Sequence, residues 1–196
     1  MSLLYKKHLH VKYVTAICVS PDNKYVLSGS TCNGAIITTN LEDGTMFRKT
    51  KSEMVLSLCV TLDNTYVVCA DQYKVKIICS HNGNVVRVIE GHTDYVYSAC
   101  VTTDNKYVVS GSRDETIRVT RLDTGELVRI IDSPQQNICW ILRVVVTPDN
   151  KYVVSGTSAG TIQIFCLNNG ELVRSIQAHT DYVMDLCLTQ NYKYVV

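Results

Sequence analysis

Asp104-Asn105-Lys106-Tyr107-Val108-Val109-Ser110-Gly111-Ser112 decides how this chain folds, because its opening returns along the sequence. The same pattern stands at Asp22-Asn23-Lys24-Tyr25, Asp63-Asn64-Thr65-Tyr66 and Asp149-Asn150-Lys151-Tyr152, and a weaker fifth copy ends at Tyr194. Between the tyrosines the period is about 41 to 45 residues, the length of a four-stranded propeller blade. Inside each unit the apolar residues fall in short runs rich in Val, Ile, Thr and Tyr, separated by turn formers, which favours strands over helices. In the third unit the runs cover 96–101, 107–110, 116–120 and 126–131, here called strands a, b, c and d.

The joints agree with this division. Asp-Asn before each marker tyrosine suits a tight a-to-b turn, and Asp43-Gly44, Asn82-Gly83, Thr124-Gly125 and Asn169-Gly170 put a permissive glycine in each c-to-d hairpin. A lone four-stranded sheet shields neither of its apolar faces, so the units are expected to stack face to face around an axis. A solenoid would need shorter coils, and a sandwich would need no internal repeat. The predicted fold is therefore an all-β propeller of four-stranded antiparallel blades. Complete units are expected at 10–50, 51–90, 91–132 and 133–177, with a leading strand d over 1–9 and a partial unit over 178–196.

Gly91-His92-Thr93-Asp94-Tyr95-Val96, Ser110-Gly111-Ser112-Arg113-Asp114-Glu115-Thr116-Ile117-Arg118-Val119 and Leu122-Asp123-Thr124-Gly125-Glu126 together resemble a blade of the WD-repeat family. The Trp-Asp pair of that family is missing, and we place its positions at Thr39-Asn40, Cys79-Ser80, Thr120-Arg121 and Phe165-Cys166. The resemblance implies a hydrogen-bonded clasp in the third unit, made by His92, Asp114 and Ser110 or Ser112. Asn33, Tyr73 and Ala159 stand where Asp114 would be in the other units, which are expected to rely on apolar packing, since an incomplete buried network stabilises little.

Composition narrows the function. Nineteen Lys plus Arg face eighteen Asp plus Glu, and a net charge of +1 offers no electrostatic attraction to nucleic acid or to an anionic membrane. No apolar run approaches the roughly 18 residues of a membrane span, so the expected location is cytoplasmic, with the nucleus second. The nine cysteines contain no CxxC pair. Cys18, Cys59, Cys100 and Cys187 share one strand-a position, seven residues before the marker tyrosine, where unit four has Val145; they are expected to be buried, unpaired packing residues. Arg48, Arg87, Arg129 and Arg174 recur in strand d, where charge protects an exposed edge. No phosphate loop, HExxH, GxSxG or paired carboxylates occur, so neither catalysis, a metal nor a cofactor is expected.

These observations, with the resemblance, imply a protein-protein interaction scaffold that presents loops on a rigid platform to other proteins or peptides. The partner-binding candidates are Tyr13, Met54, Tyr95, Trp140 and Tyr182, each twelve residues before a marker tyrosine, where the d-to-a loop enters strand a. The family's geometry puts that position on the rim around a central channel, and Gln72, Arg113 and Ser158 of the b-to-c turns would join it. Tyr, Trp and Arg are the types most enriched at binding hot spots. Two alternatives are a ligand-binding or enzymatic propeller that uses the channel, and a structural unit that closes its ring with further blades or by self-association through open blade edges.

Overall fold

The computed structural model describes residues 10, 13–31, 34–134 and 139–189. The strands form four antiparallel sheets, each running in chain order from one edge to the other. Blade 1 contains β1 (Val14–Val19), β2 (Tyr25–Ser30), β3 (Ala35–Asn40) and β4 (Met46–Lys51). Blade 2 contains β5 (Val55–Val60), β6 (Tyr66–Asp71), β7 (Lys74–Cys79) and β8 (Val85–Ile89). Blade 3 contains β9 (Val96–Val101), β10 (Tyr107–Ser112), β11 (Thr116–Arg121) and β12 (Leu127–Asp132), and blade 4 contains β13 (Ile141–Val146), β14 (Tyr152–Thr157), β15 (Thr161–Cys166) and β16 (Leu172–Gln177). No helix occurs among the described residues. The molecule is an all-β assembly of propeller blades.

The marker motif forms the a-to-b turn. Asn23, Asn64, Asn105 and Asn150 all adopt left-handed backbone, φ 55° to 58°, a conformation Asn tolerates better than most residues. The aspartate before each asparagine caps the turn: Asp104 Oδ1 accepts the Thr102 hydroxyl at 2.6 Å and the Lys106 N–H at 3.1 Å, and Asp22, Asp63 and Asp149 repeat the arrangement. Across each c-to-d hairpin the predicted glycine has positive φ, 78° at Gly125.

Strand burial explains the stacking. β10 is buried along nearly its whole length, as expected of a strand covered on both faces, whereas β4, β8, β12 and β16 are the exposed outer strands. The a strands lie beside one another, β1 next to β5, β5 next to β9 and β9 next to β13, so they form the inner row. The core is accordingly a series of seams. Ile117, Val119 and Ile131 of blade 3 meet Ile141, Val144 and Phe165 of blade 4, and Val75 and Ile77 of blade 2 meet Val96, Ala99 and Val108 of blade 3. Gly111 keeps its seam tight, since a Cβ there would collide with Ile141 and lie 2.8 Å from Val144 Cγ1.

Four expectations need correction. First, the b-to-c turn of blade 2 is shorter than that of blade 3, and Tyr66 pairs with Cys79 as Tyr107 pairs with Arg121. The Trp-Asp positions of blade 2 are therefore Ile78-Cys79, one residue earlier than spacing suggested. Second, the strand-d arginines do more than guard an edge. Arg129 donates from Nη1 to Asn169 O at 2.9 Å and from Nη2 to Asn168 O at 2.5 Å, reaching the c-to-d hairpin of the next blade. Arg48 grips the Ser80 and His81 carbonyls, and Arg87 those of Asp123 and Thr124, in the same way. Arg174 has no hairpin carbonyl as partner among the described residues and is exposed.

Third, Cys187 is exposed, and residues 182–187 join no sheet among the described residues. Cys18, Cys59 and Cys100 are partly buried, and the cysteines of the described residues are free thiols. Burial pushes the thiols of Cys18 and Cys100 up to about 12 and that of Cys59 well above its ordinary value. The expected leading strand over 1–9, the marker Tyr194 and Asn33 lie outside the described residues.

Candidate functional site

The positions where chain enters each a strand form one row, and the b-to-c turns come to it by a repeated backbone hydrogen bond. Gln72 N donates to Met54 O at 3.3 Å, Arg113 N to Tyr95 O at 2.8 Å, and Ser158 N to Trp140 O at 3.0 Å. Ser158 adds a side-chain bond, its hydroxyl accepting the Trp140 N–H at 2.9 Å. Gln72, Arg113 and Ser158 thus each adjoin the row residue of their own blade.

Side chains then connect one blade to the next. The rings of Tyr73, in the b-to-c turn of blade 2, and Tyr95, at the entrance to blade 3, lie 4.9 Å apart. Arg113 of blade 3 spreads its guanidinium 4.6 Å from the centre of the Trp140 ring, with Nε 3.6 Å from Asp94 Oδ2. Trp140 faces Tyr182 at 6.2 Å. The result is a strip running Tyr73, Tyr95, Arg113, Trp140, Tyr182 across three successive seams. Met54 is half-buried, and Tyr13, 79% exposed, joins no ring pair among the described residues. Sequence reasoning missed Tyr73 as a member of this strip. Its place beside Gln72 in the same turn was the available signal.

Below the strip, the second residue of each inner strand, Thr15, Leu56, Tyr97, Leu142 and its counterpart Met184, lines a cavity of about 440 Å3. Trp140 and Tyr182 form part of its rim. Arg143 and Asp185 in the same wall are paired with each other, Nε to Oδ1 at 2.8 Å. Burial raises the Tyr97 phenol. A nucleophile held against a base is not formed by these groups, and no cluster of three His, Cys, Asp or Glu side chains suited to a metal occurs among the described residues.

The expected clasp forms in blade 3. His92 Nδ1 meets Asp114 Oδ2 at 2.8 Å and Nε2 meets the Ser110 hydroxyl at 2.9 Å, while Thr116 donates to Asp114 Oδ1 at 2.7 Å. Ser112 donates instead to Asp94 O at 3.1 Å and accepts the Asp114 N–H, bracing the strip's acidic residue rather than the histidine. Burial opposes ionisation of Asp114, but His92, Thr116 and the Thr93 N–H outweigh it and hold the carboxyl well below the usual range.

Blade 2 does not rely on apolar packing alone, which is the fourth correction. Asp71, 2% exposed, accepts the Ser52 hydroxyl at 2.6 Å, the Met54 N–H at 2.6 Å and the Glu53 N–H at 3.2 Å, and pairs with Lys76 Nζ at 2.5 Å. It occupies the Ser112 position, so an alignment on Asp114 overlooks it. Its carboxyl sits below the ordinary range because these partners outweigh the desolvation that opposes it. By tethering Glu53 and Met54, Asp71 fixes the approach to β5. Blade 1 keeps a shorter version, His10 Nε2 to the Ser28 hydroxyl at 2.7 Å.

Comparison with known families agrees with this architecture. The model of the WD domain, G-beta repeat, matches residues 2–40 and 83–120. No curated protein matches the chain.

Proposed function

We propose that this chain, whose residues 2–40 and 83–120 match the WD domain, G-beta repeat, is an interaction scaffold whose partner, a protein or peptide, docks across the strip from Tyr73 to Tyr182. WD repeats generally mediate protein-protein interaction and are typically not enzymes. The observation that carries the reading is the continuity of the strip across three seams. Its side chains combine large apolar area with hydroxyl, indole and guanidinium handles, the chemistry of binding hot spots. They are also ordered in advance: Arg113 is held between Trp140 and Asp94, so less rotamer freedom is lost on docking. Tyr13 and Met54 of the row, with Gln72 and Ser158 of the adjoining turns, would extend the footprint.

The test is capture of partners from cell extract by the wild-type chain, by Tyr95→Ala and by Trp140→Ala, with the bound proteins identified and their affinities measured. A partner that reads the strip loses roughly 2 kcal/mol or more with each variant, while thermal stability changes little. Undiminished affinity together with lowered stability in both variants would assign the row to packing.

A second reading rests on the exposed face of blade 1. Ile17 is 69% exposed where its counterparts Leu58 and Val144 are 7% and 1%, and Val14 is similarly uncovered. Such a face favours further blades or self-association. Sedimentation over a range of concentrations tests it, a concentration-independent monomer being the contrary result.

A further inference from the structure

Blade 1 meets blade 2 across a cavity of about 380 Å3, remote from the strip, whose exposed wall residues Asp22, Phe47, Thr65 and His81 mark its mouth. Its origin can be traced residue by residue. The strand-c and strand-d positions that hold Ile77 and Ile89 in blade 2, and Val119 and Ile131 in blade 3, hold Thr38 and Thr50 in blade 1. Ile77, Val119 and Ile131 are buried and fill their seams, whereas the two threonines line open space. Leu27, Ile36, Val60, Val67 and Ile78 add apolar wall.

A hydrogen bond is also missing at this seam. Asn105 Oδ1 accepts the Leu62 N–H at 3.2 Å, and Asn150 Oδ1 accepts the Thr103 N–H at 2.9 Å, linking the a-to-b turns of successive blades. The residue equivalent to Leu62 and Thr103 in blade 1 is Pro21, which has no N–H. Asn64 lines the cavity, and its Oδ1 is buried without a partner among the described residues. A buried acceptor in that condition is destabilising until a donor reaches it. Opposite stand the Tyr25 and Phe47 rings, 5.0 Å apart. The charged groups nearby are already engaged, Arg48 with the Ser80 and His81 carbonyls and Asp22 with Ser20 and the Lys24 N–H.

We propose that this inter-blade cavity binds an uncharged, mainly apolar ring compound carrying a single N–H or O–H donor. The ring lies along Tyr25 and Phe47, and the donor meets Asn64 Oδ1. The volume is within the range of small-molecule sites, which combine apolar walls with a few placed polar groups.

The experiment titrates the full chain with indole and with N-methylindole, which lacks the donor, and follows binding by calorimetry. Indole should bind about five-fold more tightly than N-methylindole, the effect of one net hydrogen bond. The double variant Thr38→Ile, Thr50→Ile, which installs the residues of blade 2, should weaken indole at least about ten-fold and raise the Tm, as filling a void does. Asn64→Gly, which accepts the left-handed backbone at that position (φ 58°), should remove the preference between the two probes, and it decides the matter if the filled variant does not fold. Failure of indole to bind, equal affinity for both probes, or unchanged indole affinity in the filled variant would overturn the proposal. Loss of a captured protein partner in the filled variant, without indole binding to the wild type, would overturn it too and mark the cavity as a socket for a protein side chain.

Discussion

Replacing Asp71 by Asn tests whether blade 2 depends on its buried ion pair. The substitution keeps shape and removes charge, leaving one acceptor oxygen where two carboxylate oxygens serve Ser52, Glu53, Met54 and Lys76. Whichever way the amide turns, its NH2 faces an existing donor: the Glu53 N–H and the Lys76 ammonium on one side, the Met54 N–H on the other. Breaking a buried pair by removing one partner costs about 3 to 5 kcal/mol. The Lys76 side chain, 16% exposed, regains part of its hydration, so the lower end, about 3 kcal/mol at pH 7, is expected. For a chain of this size that lowers the Tm by roughly 6 to 12 °C. Urea unfolding and thermal melts measure it, and a cycle with Lys76→Met separates the pair from the rest; the double variant should be at least about 1 kcal/mol better than the sum of the singles. The folded carboxyl lies below its unfolded value of about 3.9. Its contribution is therefore complete above that pH and is lost as pH falls through the folded value, so wild type and variant should converge in acid. A loss under about 0.5 kcal/mol at pH 7, or strict additivity with Lys76→Met, would refute the assignment.

Three further outcomes follow from the same geometry. Arg129→Ala should lower stability by about 1 to 2 kcal/mol through loss of two charge-assisted bonds to the next blade, whereas Arg174→Ala should leave it unchanged; equal effects in chemical denaturation would contradict the inter-blade clasp. Alkylation at pH 8 followed by peptide mass mapping should find Cys187 modified well before Cys100, whose buried thiol is pushed up to about 12, and the reverse order would show that residues 182–187 are covered. Asp114→Ala should cost about 2 to 3 kcal/mol at neutral pH, because His92 and Thr116 lose their acceptor, and the cost should shrink as pH falls through the depressed folded value; a pH-independent deficit would argue against an ionised carboxylate in the clasp.

The period of the marker tyrosines and the turn chemistry around them were enough to determine an all-β fold of four-stranded blades, because each blade is built from local hairpins whose residues are close in sequence. The Asn residues with positive φ and the hairpin glycines are the same features in both views. The entrance row could be named for a similar reason, since register within a repeat carries each position to the same place in its blade. What lies between blades was legible only in the tertiary structure. Arg129 reaching Asn168, Arg113 lying over Trp140 and Tyr73 against Tyr95 are contacts between successive blades, and no local pattern specifies which side chain crosses a seam. Asp71 escaped because it performs its role from a different repeat position, which alignment by spacing treats as unrelated. The cavity of blade 1 came from two threonines and a proline that are unremarkable singly; they leave a void and an orphaned carbonyl only when stacking brings them to one seam, because packing is a property of both faces at once.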